Sequence, residues 1–272
     1  MNSGEDALRV QIGDRTLVGD DTGGDGPPIL LLHGLTATRR YVLHGSRTLE
    51  RAGYRILSYD SRGHGASDPA DGQTGYAYAD LGDDLHAVMD GLGLDSAILV
   101  GHSMGGHLAA RMAITAPERV DALVLGAPAH LGRPSHDPDR WDRLADGLEF
   151  GGPEGMWDAL EHSPDPEWNA KVQTVVLQRL RRHLHPHAVA DALRATPRSA
   201  AFDGLDALEA IRCPTLVIGT HDRFDAEHPL AVAREYEARI PGAMFAIEDE
   251  GTAPLTWRGG ALSKAIAAFL HG

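Results

Sequence analysis

The stretch Gly101-His102-Ser103-Met104-Gly105 decides the fold, because it fits the pattern G-x-S-x-G in a telling context. The apolar residues 97–100 lead into it, and residues 104–116, with apolar positions at helical spacing, leave it. A strand, a sharp turn and a helix in this order project the serine hydroxyl from the carboxyl edge of a sheet, where open α/β folds bind ligands. The pattern predicts Ser103 as a nucleophile, with the Met104 amide directed at a developing oxyanion.

Apolar runs of strand length lie on both sides of this motif, and stretches with helical spacing separate them. Residues 7–20 predict a two-stranded entry hairpin around Gly13-Asp14. Other predicted strands are 28–32, 55–59, 122–125, 214–218 and 244–247, and predicted helices are 78–92 and 261–270. Strands that alternate with helices predict an α/β class, with a mostly parallel sheet and helices on both faces.

The alternation breaks between about residues 130 and 205. This segment is richer in Pro, His, Trp and Arg, and its strongest patterns are helical, at 156–161, 168–182 and 187–194. It is too long for a single crossover connection. We therefore predict a core made of residues 1–129 and 206–272, with residues 130–205 inserted as a helical cap.

Composition limits the partners. The 272 residues include 25 Lys and Arg against 39 Asp and Glu, a formal charge of −14 that disfavours nucleic acid. No apolar run is long enough to span a membrane, and the acidic start of the chain does not resemble a signal peptide. With Cys213 as the single cysteine, we expect a cytoplasmic protein that acts on a small molecule without a cofactor. The oligomeric state stays open.

Three further segments resemble the α/β-hydrolase superfamily. His33-Gly34, after the first buried strand, resembles the oxyanion loop, and this implies the Leu35 amide as the second oxyanion donor. Residues 60–68 resemble the D-x-R-G-H-G-x-S loop beside the site. Asp222, after the strand 214–218, stands where the family places its catalytic acid. The segment 130–205 stands where the family has its cap.

The residue at the elbow also limits which branches of the superfamily the chain resembles. The haloalkane dehalogenases and epoxide hydrolases of the superfamily use aspartate at the elbow, whereas this chain has Ser103. The resemblance thus favours the esterase, thioesterase, C–C hydrolase and lactonase branches.

One position departs from the family pattern. The general-base histidine of the superfamily follows the last strand, and the corresponding stretch here is 249–255, with Thr252 at the histidine position. A threonine hydroxyl cannot accept the serine proton at neutral pH, and loss of the base in a triad costs about 10⁶-fold in kcat. Either another group is the base, or Ser103 is not an efficient nucleophile. Trp257 is expected to close one wall of the cleft.

Other histidines are weighed as a substitute base, and a structural role is expected for each. His33 is expected to hold the oxyanion loop, and His102 adjoins Ser103 with a diverging side chain. His33 and His102 are both expected to line the cleft. The remaining candidates are His64 in the core and His130, His136, His162, His183, His185 and His187 in the predicted cap. The last three invite a metal site, which Pro186 and the helical pattern argue against.

Three functions remain open. The first is a hydrolase of an ester, thioester or lactone that acts through Ser103 and an unconventional base. The second is a repurposed enzyme that catalyses a cyclisation, elimination or decarboxylation in the same cleft. The third is a ligand-binding protein without catalysis. A deliberate replacement of the histidine by Thr252 is a fourth, trivial explanation of the departure.

Overall fold

The central sheet positions everything else. A computed structural model describes residues 7–221, 225, 227–248 and 259–272. Within them, eight strands form one sheet in the order β1-β2-β4-β3-β5-β6-β7-β8. The strands are β1 (Ala7–Ile12), β2 (Arg15–Asp21), β3 (Pro28–Leu32), β4 (Arg55–Tyr59), β5 (Ala97–His102), β6 (Val120–Gly126), β7 (Thr215–Gly219) and β8 (Met244–Ile247).

The pairing is antiparallel at one edge and parallel elsewhere. β1 and β2 form the predicted hairpin, with Val10 opposite Leu17, and β2 pairs antiparallel with β4. From β4 to β8 every pairing is parallel, so the carboxyl ends of these strands lie at one edge. The predicted α/β class and the predicted strands are confirmed.

The helices that flank the sheet are α1 (Thr48–Arg51), α2 (Tyr78–Gly91), α3 (Met104–Thr115), α7 (Leu230–Arg239) and α8 (Gly259–His271). Three of them, α2, α3 and α8, agree with the predicted helices to within two residues at each end, whereas α1 and α7 were not predicted. Strand residues alternate between the two faces: Leu30 and Leu99 join the cluster packed with α2, α3 and α7. Ile29 joins the cluster packed with α8 on the other face. Among the described helices, none is long and apolar enough to cross a membrane.

Three longer helices lie between β6 and β7: α4 (Pro138–Ala159), α5 (Pro166–Leu180) and α6 (Pro186–Ala195). Each has proline at its first position, where the missing N–H has no partner in any case. The first is much longer than the predicted 156–161 and bends at Gly152, which has a φ of 64°. These helices share their own core, and Leu35 of the segment after β3 packs against it. The cap boundaries 130–205 stay a prediction.

Candidate active site

The turn at Ser103 joins β5 to α3 in a strained conformation. Ser103 has a φ of 52° and a ψ of −118°, a region that residues with a side chain rarely adopt. Its amide donates to the Gly126 carbonyl at 2.9 Å, and its carbonyl accepts from the His107 amide at 3.0 Å. The surrounding backbone therefore holds the strained turn on both sides.

Two glycines allow this turn to form. A Cβ atom on Gly101 would lie 2.2 Å from the carbonyl oxygen of Gly105, and one on Gly105 would lie 2.1 Å from that of Leu32. Neither contact is possible between real atoms, so both positions require glycine. The half-buried Ser103 side chain makes no hydrogen bond to any residue that the structure describes.

Two backbone amides flank the elbow. Met104 is the first residue of α3, so its N–H has no partner inside the helix. The Leu35 amide has no backbone partner among the described residues. A Cβ on Gly34 would lie 3.3 Å from the Ser103 Cβ, which shows how closely this loop approaches the elbow. Thr36 has a φ of 66° and sharpens the loop.

His33 holds the loop that bears Leu35 through hydrogen bonds of both ring nitrogens. Its Nε2 accepts from the Ser61 amide at 2.9 Å, and its Nδ1 donates to the Gly34 carbonyl at 2.8 Å. Burial, with a smaller effect from His64, lowers the pKa of His33 to about 3. The neutral ring has both nitrogens occupied, so it has none left to accept a proton from Ser103.

His183, between α5 and α6, also makes a hydrogen bond to this loop. Its Nδ1 accepts from the Gly65 amide at 2.8 Å, and its Nε2 donates to the Thr36 carbonyl at 3.0 Å. Burial and then His64 lower its pKa to about 3. His183 connects the segment of α5 and α6 to the loop that bears Leu35, and its bonds are those of a structural residue.

The loop 60–68 is held by buried charges. Arg62 donates through Nε and Nη2 to the two carboxylate oxygens of Asp84 on α2, at 2.6 Å each. Arg39 pairs with the Asp60 carboxylate, which also accepts from the Ala66 amide at 3.1 Å. These contacts are consistent with a structural loop beside the elbow.

The histidines on either side of Ser103 along the chain differ. His107 is fully engaged, since its Nε2 accepts from the Ala129 amide at 3.2 Å and its Nδ1 donates to the Tyr236 hydroxyl at 2.8 Å. His102 makes no hydrogen bond within the described part of the chain. Burial and then His228 lower its pKa to about 3. Its ring lines a mostly apolar pocket beside the elbow, together with His44, Val124, Ile218 and Leu262.

An acid–histidine pair follows β7. Nδ1 of His228 donates to Oδ2 of Asp225 at 2.7 Å, and the side chains are 16% and 20% exposed. Burial alone would lower the pKa of His228, but the charge of Asp225 and this hydrogen bond outweigh it and raise the pKa above 6.5. The centroid of the His228 ring lies 5.5 Å from that of His102.

Arg179, near the end of α5, brings a positive charge to the same region. Its Nε is buried and has no hydrogen-bond partner, and no ion pair of Arg179 is found among the described residues. Burial lowers the pKa of its guanidinium, while Tyr41 and Asp225 oppose that effect. The charge of Arg179 adds to burial in lowering the pKa of His44 and, more weakly, of His102. A guanidinium with no ion-pair partner among the described residues therefore lies within electrostatic range of His44 and His102.

The comparisons with known proteins agree with this geometry. The family model described as alpha/beta hydrolase fold matches residues 27–255. The chain belongs to the α/β-hydrolase family. It is 32% identical over 240 residues to a 2-hydroxy-6-oxononadienedioate/2-hydroxy-6-oxononatrienedioate hydrolase of Paraburkholderia phymatum, covering 83% of this chain and 80% of that one.

Two further similarities extend this result. The chain is 39% identical over 117 residues to the AB hydrolase superfamily protein YisY of Bacillus subtilis, covering 42% of this chain and only 43% of that protein. The enol-lactonase of Burkholderia xenovorans LB400 superposes with a TM-score of 0.80 at 23% identity, covering 97% of this α/β-hydrolase and 100% of the other chain. The relatives support an enzyme of the hydrolase kind, while the enol-lactonase supports the fold.

Several predicted site residues are not covered. Asp222, Thr252 and Trp257 lie outside the described residues, so their predicted roles stay predictions. Just before the gap at 249–258, the buried Glu248 carboxylate accepts from the Thr220 hydroxyl at 2.7 Å and the His221 amide at 2.8 Å, tying the end of β8 to that of β7. Within the described ranges, no group of three His, Cys, Asp or Glu residues could hold a metal ion.

Sequence reasoning missed three residues of this α/β-hydrolase site. Asp225 and His228 are three residues apart after a predicted strand, and His228 directly precedes Pro229, a spacing that is visible in the sequence. The histidines that the sequence analysis weighs as a substitute base do not include His228. Arg179 had no sequence signal, because nothing in a helical pattern shows which arginine remains unpaired.

Proposed function

We propose that this α/β-hydrolase cleaves an ester, thioester or lactone bond of a small molecule through Ser103. The observation that carries the proposal is the Ser103 backbone, with its φ of 52° and its hydroxyl without a partner among the described residues. A conformation this costly persists when the surroundings force it, and such strain clusters at functional sites. Attack by Oγ on the carbonyl carbon would give an acyl-enzyme and release the alcohol, thiol or ring oxygen.

The amides of Leu35 and Met104 are the proposed oxyanion donors. Both adjoin the Ser103 turn, and the loop that bears Leu35 is held by His33 and His183. Because these donors are fixed before substrate arrives, they stabilise the charged intermediate without reorganising. Removal of one such donor in an acyl-transfer site costs about 10²–10³-fold in kcat.

The substrate class follows from Arg179. The buried Nε of Arg179 has no hydrogen-bond partner among the described residues, and a ligand anion that pairs with the guanidinium would supply one. The chain carries a net charge of −14, so a positive group at this position is not part of a general basic surface. We therefore propose substrates that bear a carboxylate at the end remote from the scissile bond. The relative from P. phymatum is named for a dicarboxylate, which supports this class.

Because the resemblance places Thr252 at the usual histidine position, two alternatives to hydrolysis are kept as outcomes of the test below. If no group takes the Ser103 proton, the cleft would bind its ligand without acylation or would catalyse a non-hydrolytic step. Asp222 is proposed as an acid of the site, at the position where the family places it.

The test is intact-mass analysis after incubation with a fluorophosphonate probe. We expect stoichiometric labelling of the wild type and none of Ser103→Ala, because phosphonylation needs an activated serine hydroxyl. An unlabelled wild type together with a labelled Thr252→His variant would reject the hydrolase and favour the alternatives.

A further inference from the structure

We propose that His228, oriented by Asp225, is the general base that deprotonates Ser103, an inference that rests on the proposed hydrolase function. The pair replaces the histidine that the family carries at position 252. It comes from the segment after β7 rather than from the segment after β8.

The position of the pair supports this role. The Ser103 amide donates a hydrogen bond to the Gly126 carbonyl at the end of β6, and the Ala127 amide donates to the Ile218 carbonyl of β7 at 2.8 Å. The carboxyl ends of β5 and β7 are thus two strand spacings apart, or about 10 Å. The His228 ring lies near the last residue of β5, since its centroid is 5.5 Å from that of His102, the residue that precedes Ser103.

The charge of His228 acts on the histidines on both sides of Ser103 along the chain. Burial is the main cause that lowers the pKa of both His102 and His107, and the charge of His228 lowers it further in each. These residues stand one before and four after Ser103, so the His228 ring lies within electrostatic range of both ends of the turn.

The hydrogen bonding gives His228 the tautomer that a base needs. Its Nδ1 carries the proton donated to Asp225, so Nε2 holds a free lone pair. No described residue donates to this nitrogen. By contrast, both ring nitrogens are engaged in the other buried histidines His33, His107, His130 and His183.

His44, His64 and His102 are the remaining candidates near the elbow, and none of them has a hydrogen-bonded carboxylate partner among the described residues. Burial and then the charge of Arg179 lower the pKa of His44. His64 is buried to 1% exposure, and its Nδ1 donates to the Arg62 carbonyl at 3.0 Å. His102 has no carboxylate partner to stabilise its charged form, and burial holds its pKa at about 3. His228 has such a partner, which is the arrangement that orients a base and stabilises its imidazolium.

The proposed steps balance in atoms and charge. As the Ser103 Oγ–carbon bond forms, the hydroxyl proton moves to Nε2 of His228, and the resulting imidazolium pairs with the Asp225 carboxylate. The imidazolium then returns that proton to the leaving oxygen or sulfur as its bond to carbon breaks. A water molecule is deprotonated by His228 in the same way, attacks the acyl-enzyme and regenerates Ser103.

The pH dependence has a defined sign. His228 must be neutral to act, so the labelling rate should rise with pH through its pKa, above 6.5. Asp225 and Glu227 raise this pKa, whereas burial and Arg179 lower it. His102 and His107 also face the ring. Asp225→Asn removes the main stabiliser of the charged form and should move the midpoint downward.

The experiment measures the rate of fluorophosphonate labelling at Ser103 from pH 5 to 9. We expect His228→Gln to lower the rate by at least about 100-fold, the usual contribution of a general base. His86→Gln on α2, outside the site, is the matched control and should label like wild type. His228→Ala should regain part of its rate with added imidazole, which a purely structural histidine would not show.

The outcomes separate the two proposals. Labelling of the wild type with loss in His228→Gln and rescue in His228→Ala supports both. Equal labelling of the wild type and His228→Gln overturns the base but leaves the hydrolase standing. An unlabelled wild type overturns both. If His228→Gln misfolds by circular dichroism, the midpoint shift in Asp225→Asn decides, and an unchanged midpoint rejects the pair.

Discussion

His33 and His183, which hold the loop that bears Leu35, differ from His228, which follows β7, in how their ring nitrogens are used. His33 and His183 are buried, and each makes one bond as a donor and one as an acceptor. His228 makes one bond, to a carboxylate, and keeps a free lone pair. A histidine saturated by backbone bonds stabilises a loop, whereas a half-saturated one with a charged partner is available for proton transfer. The contrast separates structural from chemical histidines in one small region.

The largest expected effect concerns the elbow that both regions serve. Gly105→Ala would bring a Cβ to 2.1 Å from the Leu32 carbonyl oxygen, so β3 and α3 would have to separate. We expect a loss of more than about 4 kcal/mol in the free energy of unfolding, measured by urea denaturation.

Gly106→Ala is the matched control, since its Cβ would lie 3.3 Å from the nearest atom. It should cost far less. Equal losses in the two variants would show that the elbow is not limited by this contact.

The contrast between the histidines predicts opposite effects on stability and on labelling when His183 and His228 are replaced. His183→Phe keeps a ring but leaves the Gly65 amide and the Thr36 carbonyl without partners, so it should cost about 3 kcal/mol of stability. The midpoint of its labelling–pH profile should stay at the wild-type value. His228→Gln should do the reverse, with nearly wild-type stability and a collapsed labelling rate. A shifted midpoint in His183→Phe would break the distinction.

The unpaired guanidinium predicts a selectivity effect. Arg179→Gln should raise KM for 4-nitrophenyl hydrogen succinate by about 10- to 100-fold, since hydrogen bonds between charged groups contribute about 1.5–3 kcal/mol. KM for the neutral 4-nitrophenyl butyrate should hardly change. Arg181→Gln, an exposed arginine paired with Glu154, is the control. Parallel changes for both esters in Arg179→Gln would argue against a carboxylate subsite.

The smallest expected effect is a gain in stability. Ser103→Gly relieves the strain of a φ of 52° but adds freedom to the unfolded chain, so the net stabilisation should be about 1 kcal/mol. Ser103→Ala keeps the Cβ and should melt close to the wild type. Both variants lose labelling. Identical melting temperatures for the two would mean that the turn is not strained.

Much of the fold was predictable because it depends on local patterns. The glycines around Ser103 and the buried strands on both sides determine the elbow, and the alternation of strands and helices determines the parallel sheet. The start of α4 was missed, since its first turns carry few apolar residues and a bend at Gly152 interrupts the period.

The site was predictable only where it depends on backbone. Ser103, Leu35 and Met104 follow from a turn and a loop in the sequence, and their catalytic roles stay predictions. The Asp225–His228 pair and the unpaired Arg179 depend on which side chains the folded chain brings together, or leaves apart. A one-dimensional pattern does not contain that information.

The two bonds of His183 have a mechanical consequence. This residue belongs to the segment that carries α5 and α6, yet it is bonded to Thr36 beside the proposed oxyanion donor and to Gly65. Lifting the segment as a hinged lid would pull on the loop that must stay rigid during acylation. Any opening of the segment would therefore first have to break these two hydrogen bonds.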